Sequence, residues 1–132
     1  MDGIELLDRQ ECVRRLGEDV IGRLAVSHAG RPEIFPVNYM MDGEHIVFRT
    51  ASGTKLAAAG RGPACFEIDS FDRAHSRGWS VVATGRLEEV GLAQAAFQHV
   101  HLLPVEPWAE GTKDHWMRLV PERITGRVVG PA

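Results

Sequence analysis

The stretch that most constrains the fold is Gly78-Trp79-Ser80-Val81-Val82-Ala83-Thr84-Gly85-Arg86-Leu87-Glu88-Glu89-Val90. It is long enough for a full barrel strand, and Gly85 marks a bend or bulge within it. The other apolar runs are shorter and separated by turn residues. Residues 20–27 and 34–40 read as strands joined by the turn Ala29-Gly30-Arg31-Pro32. Asp42-Gly43 is a strong hairpin signal leading to a third strand, 46–50. Residues 64–69 form a fourth, followed by a polar loop over 70–77. Residues 117–120 and 123–129 read as two final strands joined tightly at Pro121-Glu122. Helix signals are few. Asp8 caps a helix over 7–19 with Glu11 completing a capping-box pattern and Gly17 as a stop. One or two helical turns ending at Gly60 follow the third strand, and 92–101 favours helix ahead of a loop over 104–111. Tight turns and short helices predict a mainly β fold, a six- to seven-stranded antiparallel β-barrel, and not a doubly wound sheet.

The chain has 132 residues, enough for one domain spanning 1–132 with a real core. Its net charge is −3 and no basic, aromatic-interleaved strand stands out, which argues against a nucleic-acid partner. No apolar run is long enough to span a membrane. The acidic start, Met1-Asp2-Gly3-Ile4-Glu5, does not read as a signal peptide. Cys12 and Cys65 are far apart and read as free thiols of a reducing compartment, so the expected location is cytoplasmic.

The histidines show no metal-ligand spacing, no nucleophile elbow surrounds a serine, and neither a phosphate loop nor a dinucleotide fingerprint is present. No metal site and no catalytic side chain is therefore assigned. What remains is Arg49-Thr50-Ala51-Ser52-Gly53-Thr54-Lys55, a strand end, a turn and a helix start. It gathers backbone N–H groups, hydroxyls and cations, a combination suited to an anion such as phosphate or, equally, to a solvated surface. Lys55 and Lys113 are the only lysines of the chain. By strand alternation Phe48 and Thr50 point one way, Val47 and Arg49 the other; Val37 and Tyr39 share a face opposite Pro36 and Asn38. If the Asp42-Gly43 hairpin lays these two strands side by side, a planar ligand over Val37-Asn38-Tyr39 could send its phosphate to Arg49 and Lys55.

Taken in order, Pro36-Val37-Asn38-Tyr39, Ile46-Val47-Phe48-Arg49-Thr50, Gly53-Thr54-Lys55, Phe66-Glu67-Ile68-Asp69, Gly78-Trp79-Ser80-Val81, Pro107-Trp108 and Ile124-Thr125-Gly126-Arg127-Val128-Val129 resemble the pyridoxamine 5′-phosphate oxidase-like superfamily, in particular its small flavin-nucleotide-binding members. The resemblance runs from about Gly22 to Val129. It implies a split β-barrel (the FMN-binding split barrel) and a homodimer with FMN at the interface. By position, Arg49, Thr50 and Lys55 would hold the ribityl and phosphate groups, with Phe48, Gly53 and Thr54 in the same segment. Pro36, Val37, Asn38 and Tyr39 would run along the isoalloxazine. Glu67 and Asp69 lie on the next strand. Trp79 and Ser80 would reach the cofactor, and Trp108 would come from the partner subunit.

The resemblance has departures. Thr54 stands where nitroimidazole-reductase-like members carry a histidine, and the terminal arginine and histidine of the authentic oxidase are not evident, so neither activity is expected. The leading expectation is a flavin-dependent oxidoreductase exchanging electrons with a small-molecule donor or acceptor. The alternatives are a deazaflavin-dependent reductase, disfavoured because Lys55, Arg49 and Arg61 make only a compact basic cluster, and a non-catalytic flavin- or haem-binding protein.

Overall fold

The computed structural model describes residues 3–131; Met1 and Asp2 of the acidic start, and Ala132, lie outside the described residues. The elements are β1 (Ile4–Leu7), α1 (Arg9–Leu16), β2 (Ile21–His28), β3 (Arg31–Asn38), β4 (Met40–Asp42), β5 (His45–Thr50), α2 (Thr54–Ala57), β6 (Pro63–Asp72), β7 (Arg77–Val90), α3 (Phe97–Val100) and β8 (His115–Val129). The sheet runs β3-β2-β6-β7-β8-β5-β4, with β1 added against β8, and every pairing is antiparallel. It curls into a half-barrel, as the strand pattern predicts.

Alternation fills the barrel. Leu24, Phe48, Phe66, Ile68, Val81, Ala83, Met117 and Leu119 point inward and are buried. α1 closes one opening with Cys12 and Leu16, both fully buried. Its approach depends on Gly126, where a Cβ would lie 2.6 Å from Cys12 Sγ. Asp8 caps α1 by accepting from the Glu11 amide at 2.8 Å. The Glu11 carboxylate turns instead to Arg14 and Arg15, so the reciprocal half of the capping box is not made. The helix is shorter than 7–19 because Leu7 belongs to β1 and Gly17 ends the last turn.

Three further expectations are corrected. The two final strands are one, β8, and Pro121-Glu122 form a bulge within it opposite Gly85. A Cβ on Gly85 would sit 2.0 Å from the Val120 carbonyl oxygen, so the glycine lets the bulged strand come in. The polar loop over 70–77 contracts to a short turn, because β6 and β7 remain paired out to Asp72 and Arg77. The helix over 92–101 contracts to Phe97–Val100, preceded by turns in which Gln94 Oε1 accepts from the Gly91 amide at 2.6 Å.

The most consequential correction concerns the second strand. β3 does not lie beside β5; it pairs along its whole length with β2. The chain bends at Tyr39, whose amide donates to the Val20 carbonyl and whose hydroxyl donates to the Leu16 carbonyl. Only Met40–Asp42, past the bend, forms the hairpin with β5.

Candidate functional site

The outer face of the sheet divides into two halves, and the predicted residues fall in both. Over β5, the start of β8 and the end of β7, the segment 91–114 lies on the sheet. Val47, Val90, Val100 and Val105 make a second buried cluster there, with Phe97, Leu103 and Trp116 packed against it. Across β3, β2, β6, β7 and the end of β8 the outer face is open. Its cross-strand rows are Pro36–Arg23–Glu67–Val82–Thr125 and Ile34–Ala25–Cys65–Thr84–Arg123. A shallow groove of about 430 Å³ lies on it, between Leu6, Ser80, Val82, Arg123, Thr125 and Arg127.

Arg49 belongs to the covered half. Its Nε donates to the Lys113 carbonyl at 3.2 Å and its Nη1 to the Val105 carbonyl at 3.4 Å, and the guanidinium lies 5.3 Å from the Trp116 ring. Arg49 and Val47 do share the outward face of β5, but that face is occupied by the chain itself, and Arg49 ties segment 105–113 to the sheet. Phe48 and Thr50 point inward and are buried at 0% and 4% exposure, the Thr50 hydroxyl donating to the Ala51 carbonyl. Val37 and Tyr39 are also buried, whereas Pro36 is exposed and Asn38 half-buried. Asn38 is a brace: its Oδ1 accepts from the Trp108 amide at 2.8 Å and its Nδ2 donates to the Val20 carbonyl at 3.3 Å. Trp108 thus stands at the rim beside Asn38 of its own chain, with its side chain largely exposed.

Trp79 and Ser80 part company. Trp79 faces inward under α1, with the Arg15 guanidinium 4.8 Å from its ring. Ser80 lies on the open face opposite Arg127. Glu67 and Asp69 also face outward, clamped by Arg23, whose Nε donates to Glu67 at 2.9 Å and Nη2 to Asp69 at 2.6 Å. Burial and the bond to Asp69 push the Glu67 carboxyl above its usual range, while the bonds from Glu67 and Arg23 hold Asp69 below its own.

At the turn, Gly53 precedes the first residue of α2 and no side chain caps the helix. Lys55 extends over the Phe35 ring, its Nζ 4.4 Å from the centroid. Burial, and then the positive charge of Lys113, lower its pKa. Among the described residues neither lysine has a carboxylate within ion-pairing distance, and Lys113 Nζ donates to the Glu110 carbonyl at 2.9 Å. Two uncompensated, mutually repelling ammonium groups fit a phosphate. Lys113 was not among the predicted residues, though a signal was available. The tripeptide Gly-Thr-Lys occurs at 53–55 and again at 111–113, and these contain the chain's two lysines. Glu89 and His115 were not singled out by the sequence; His115 Nδ1 lies 2.7 Å from Glu89, and its other nitrogen faces Ser52 of the same turn.

The profile of the family described as pyridoxamine 5′-phosphate oxidase matches residues 8–128. The chain belongs to the pyridoxamine 5′-phosphate oxidase family. An uncharacterized protein of Mycobacterium tuberculosis is 32% identical over 126 residues, covering 91% of this chain and 82% of that protein. A Mycobacterium smegmatis structure described as an FAD-binding protein is 32% identical, covers 97% of this chain and 100% of its own, and superposes with a TM-score of 0.81. A Corynebacterium glutamicum structure, a candidate pyridoxamine 5′-phosphate oxidase, is 31% identical, with coverage of 100% and 97% and a TM-score of 0.83. Both structures superpose over nearly the whole length of the chain. Among the described residues no group of metal-ligating side chains occurs, and no helix is long and apolar enough to cross a membrane.

Proposed function

We propose that the protein is a flavin-dependent oxidoreductase that works as a homodimer, with FMN held at the edge of the open face. The observation that carries this reading is the pair of uncompensated lysines beside the Ser52-Gly53 turn, in a chain whose family relatives include a flavin-binding protein. Lys55 and Lys113 would neutralise the phosphate, and the Ser52 and Thr54 hydroxyls lie on the same turn. Pro36, Asn38 and Ser80 would border the ring, with Trp108 at the rim. Bound flavin supplies hydride or electron transfer. The chain's own residues bind it, orient it and exclude water. The Arg23-clamped Glu67–Asp69 pair stands on the side of the sheet a substrate would approach. A second copy of the chain is the expected cover of the open face, where Val82, Ala25, Cys65 and Ile34 offer apolar surface between charged neighbours.

FAD is the second reading for the cofactor, favoured by the M. smegmatis relative. Titration of the flavin-free protein with FMN and with FAD distinguishes the two by affinity. The broader reading predicts a yellow protein that is bleached by NADH or NADPH without oxygen and recovers its colour with an acceptor. A colourless protein that takes up neither nucleotide would refute it.

A further inference from the structure

The open face carries free positive charge at one rim and free negative charge at the opposite rim. At the β8 rim, Arg123, Thr125 and Arg127 are exposed and share the outward side of the strand. They line the groove together with Ser80 and Val82 of β7, and Leu6 of β1, 80% exposed, forms its far wall. Among the described residues neither Arg123 nor Arg127 has a carboxylate within ion-pairing distance, and the acids of the same face, Glu67 and Asp69, are taken by Arg23.

The opposite rim is the end of β3. There Asn38 holds the Trp108 amide, and Glu106 and Trp108 line a small cleft with Val20. The local sequence is Glu106-Pro107-Trp108-Ala109-Glu110, and both glutamates are exposed. Neither carboxylate has an ion-pair partner among the described residues. The Trp108 side chain between them is 68% exposed. The other described carboxylates left without a partner lie elsewhere. Glu5 alternates away from Leu6, and Glu33 stands opposite the buried Val26, on the inward side of β3. Asp114 leads into the covered end of β8, and Glu122 sits beside Arg123 on the same rim.

The open face runs β3-β2-β6-β7-β8, so β6 lies midway between the two rims. When two such faces are opposed about a twofold axis along β6, the β3 rim of each copy lies over the β8 rim of the other, and one contact is made twice. We propose that the acidic loop around Trp108 docks in the Arg123–Arg127 groove of a second copy of the chain, with Glu106 and Glu110 meeting the two guanidiniums and the Trp108 ring meeting Leu6 and Val82. This deepens the homodimer reading and rests on it. Guanidinium and carboxylate match as planar forks, and an aromatic side chain set among polar groups is the usual composition of such an interface. Charge also sets the register. A dimer that laid groove on groove would bring arginine against arginine, and one that laid loop on loop would bring glutamate against glutamate.

The test is a charge swap read by native mass spectrometry, which tells mixed dimers from homodimers by mass. The wild-type protein is expected as a dimer. Arg123→Glu/Arg127→Glu sets acid against acid at both contacts, and Glu106→Arg/Glu110→Arg sets base against base. Each double variant should raise the dimer dissociation constant by more than about a hundred-fold. Its urea midpoint should stay near that of the wild type, because the four side chains are exposed and unpaired. Mixed in equal amounts, the two variants should form a dimer of one copy each, in which both contacts again join opposite charges. A folding defect in either variant would not be repaired by mixing. If a reversal prevents folding, Arg123→Gln/Arg127→Gln replaces it and should weaken the dimer by about ten-fold, as should a rise to molar salt in the wild type. A wild-type dimer indifferent to these substitutions and to salt overturns the docking and leaves the homodimer reading intact; the groove then faces another anionic group. Folded single-chain variants that fail to pair on mixing overturn it as well. A wild-type protein that stays a single chain overturns the homodimer reading and this one with it.

Discussion

The two halves of the outer sheet face share β7 and β8 and have opposite fates. On the covered half, β5, β7 and β8 present Val47, Val90 and Trp116 to segment 91–114, and the result is a second small core. On the open half, β2, β6 and β7 present Ala25, Cys65 and Val82 among Arg23, Glu67 and Ser80, and these three stay half-buried, with a groove over Ser80 and Val82. The covered half shows what this sheet does with apolar outward residues when the chain can reach them. The open half shows less apolar density and more polar groups, the mixture typical of a non-obligate interface rather than a domain core. Arg49 and Lys55 mark the boundary. One cation is consumed in closing the covered half, while the other remains available on the turn beyond it.

That contrast can be broken by substitution, and the largest effect is expected on the covered side. Val47→Asp places a carboxylate at a fully buried position with no partner, and should cost more than about 3 kcal/mol or prevent folding, as read by urea denaturation. The matching change on the open side, Val82→Asp, should leave the urea midpoint of the isolated chain nearly unchanged while abolishing self-association. Equal loss of stability in the two variants would erase the distinction between the halves. Next in size is the pair of cations. Lys55→Met should weaken FMN binding by more than about ten-fold, or roughly 1.4 kcal/mol, without lowering stability. Arg49→Ala should lower stability by about 1–2 kcal/mol through the loss of its carbonyl and Trp116 contacts. If Arg49→Ala left stability untouched and abolished flavin binding, the guanidinium would belong to the ligand and not to the fold.

The smallest effect concerns pH. The Lys55 pKa in the folded protein lies below its ordinary value of 10.5 because of burial and Lys113. Between the folded and unfolded values the unfolded chain binds more protons, so this group's contribution makes stability rise with pH across that window. A bound phosphate restores the charge and should flatten the slope. Urea midpoints on the alkaline side, with and without FMN, and with Lys55→Met as the reference, measure it.

Much of the barrel was legible because it depends on local rules. The alternation of Phe48, Thr50 and Arg49, the irregularity at Gly85, the cap at Asp8 and the hairpin turns follow from period, propensity and turn chemistry. β1 escaped notice because its side chains are not sorted by burial: Ile4 is 46% exposed and Leu6 80%, so no pattern points inward. Pro121-Glu122 looked like a turn because proline and a polar residue commonly end strands. That it is a bulge is decided by Gly85 on the opposite strand, which no local reading connects to it. The same holds for the site. The turn and its lysine could be seen, but the destination of Arg49 depends on where segment 105–113 lies, and the partner of β3 depends on the bend at Tyr39. The second Gly-Thr-Lys was in plain view, and its relation to the first appears only when β5 and β8 are paired.

The central claim is that the open face is completed by a second copy of the chain and that flavin binds where the two meet. Light scattering coupled to flavin absorbance tests it on wild-type protein and on Val82→Asp. The account predicts a particle of two chains carrying one flavin per chain for the wild type, and a folded, colourless single chain for Val82→Asp. A wild-type single chain that binds flavin, or a monomeric Val82→Asp variant that keeps its flavin with unchanged affinity, would contradict it.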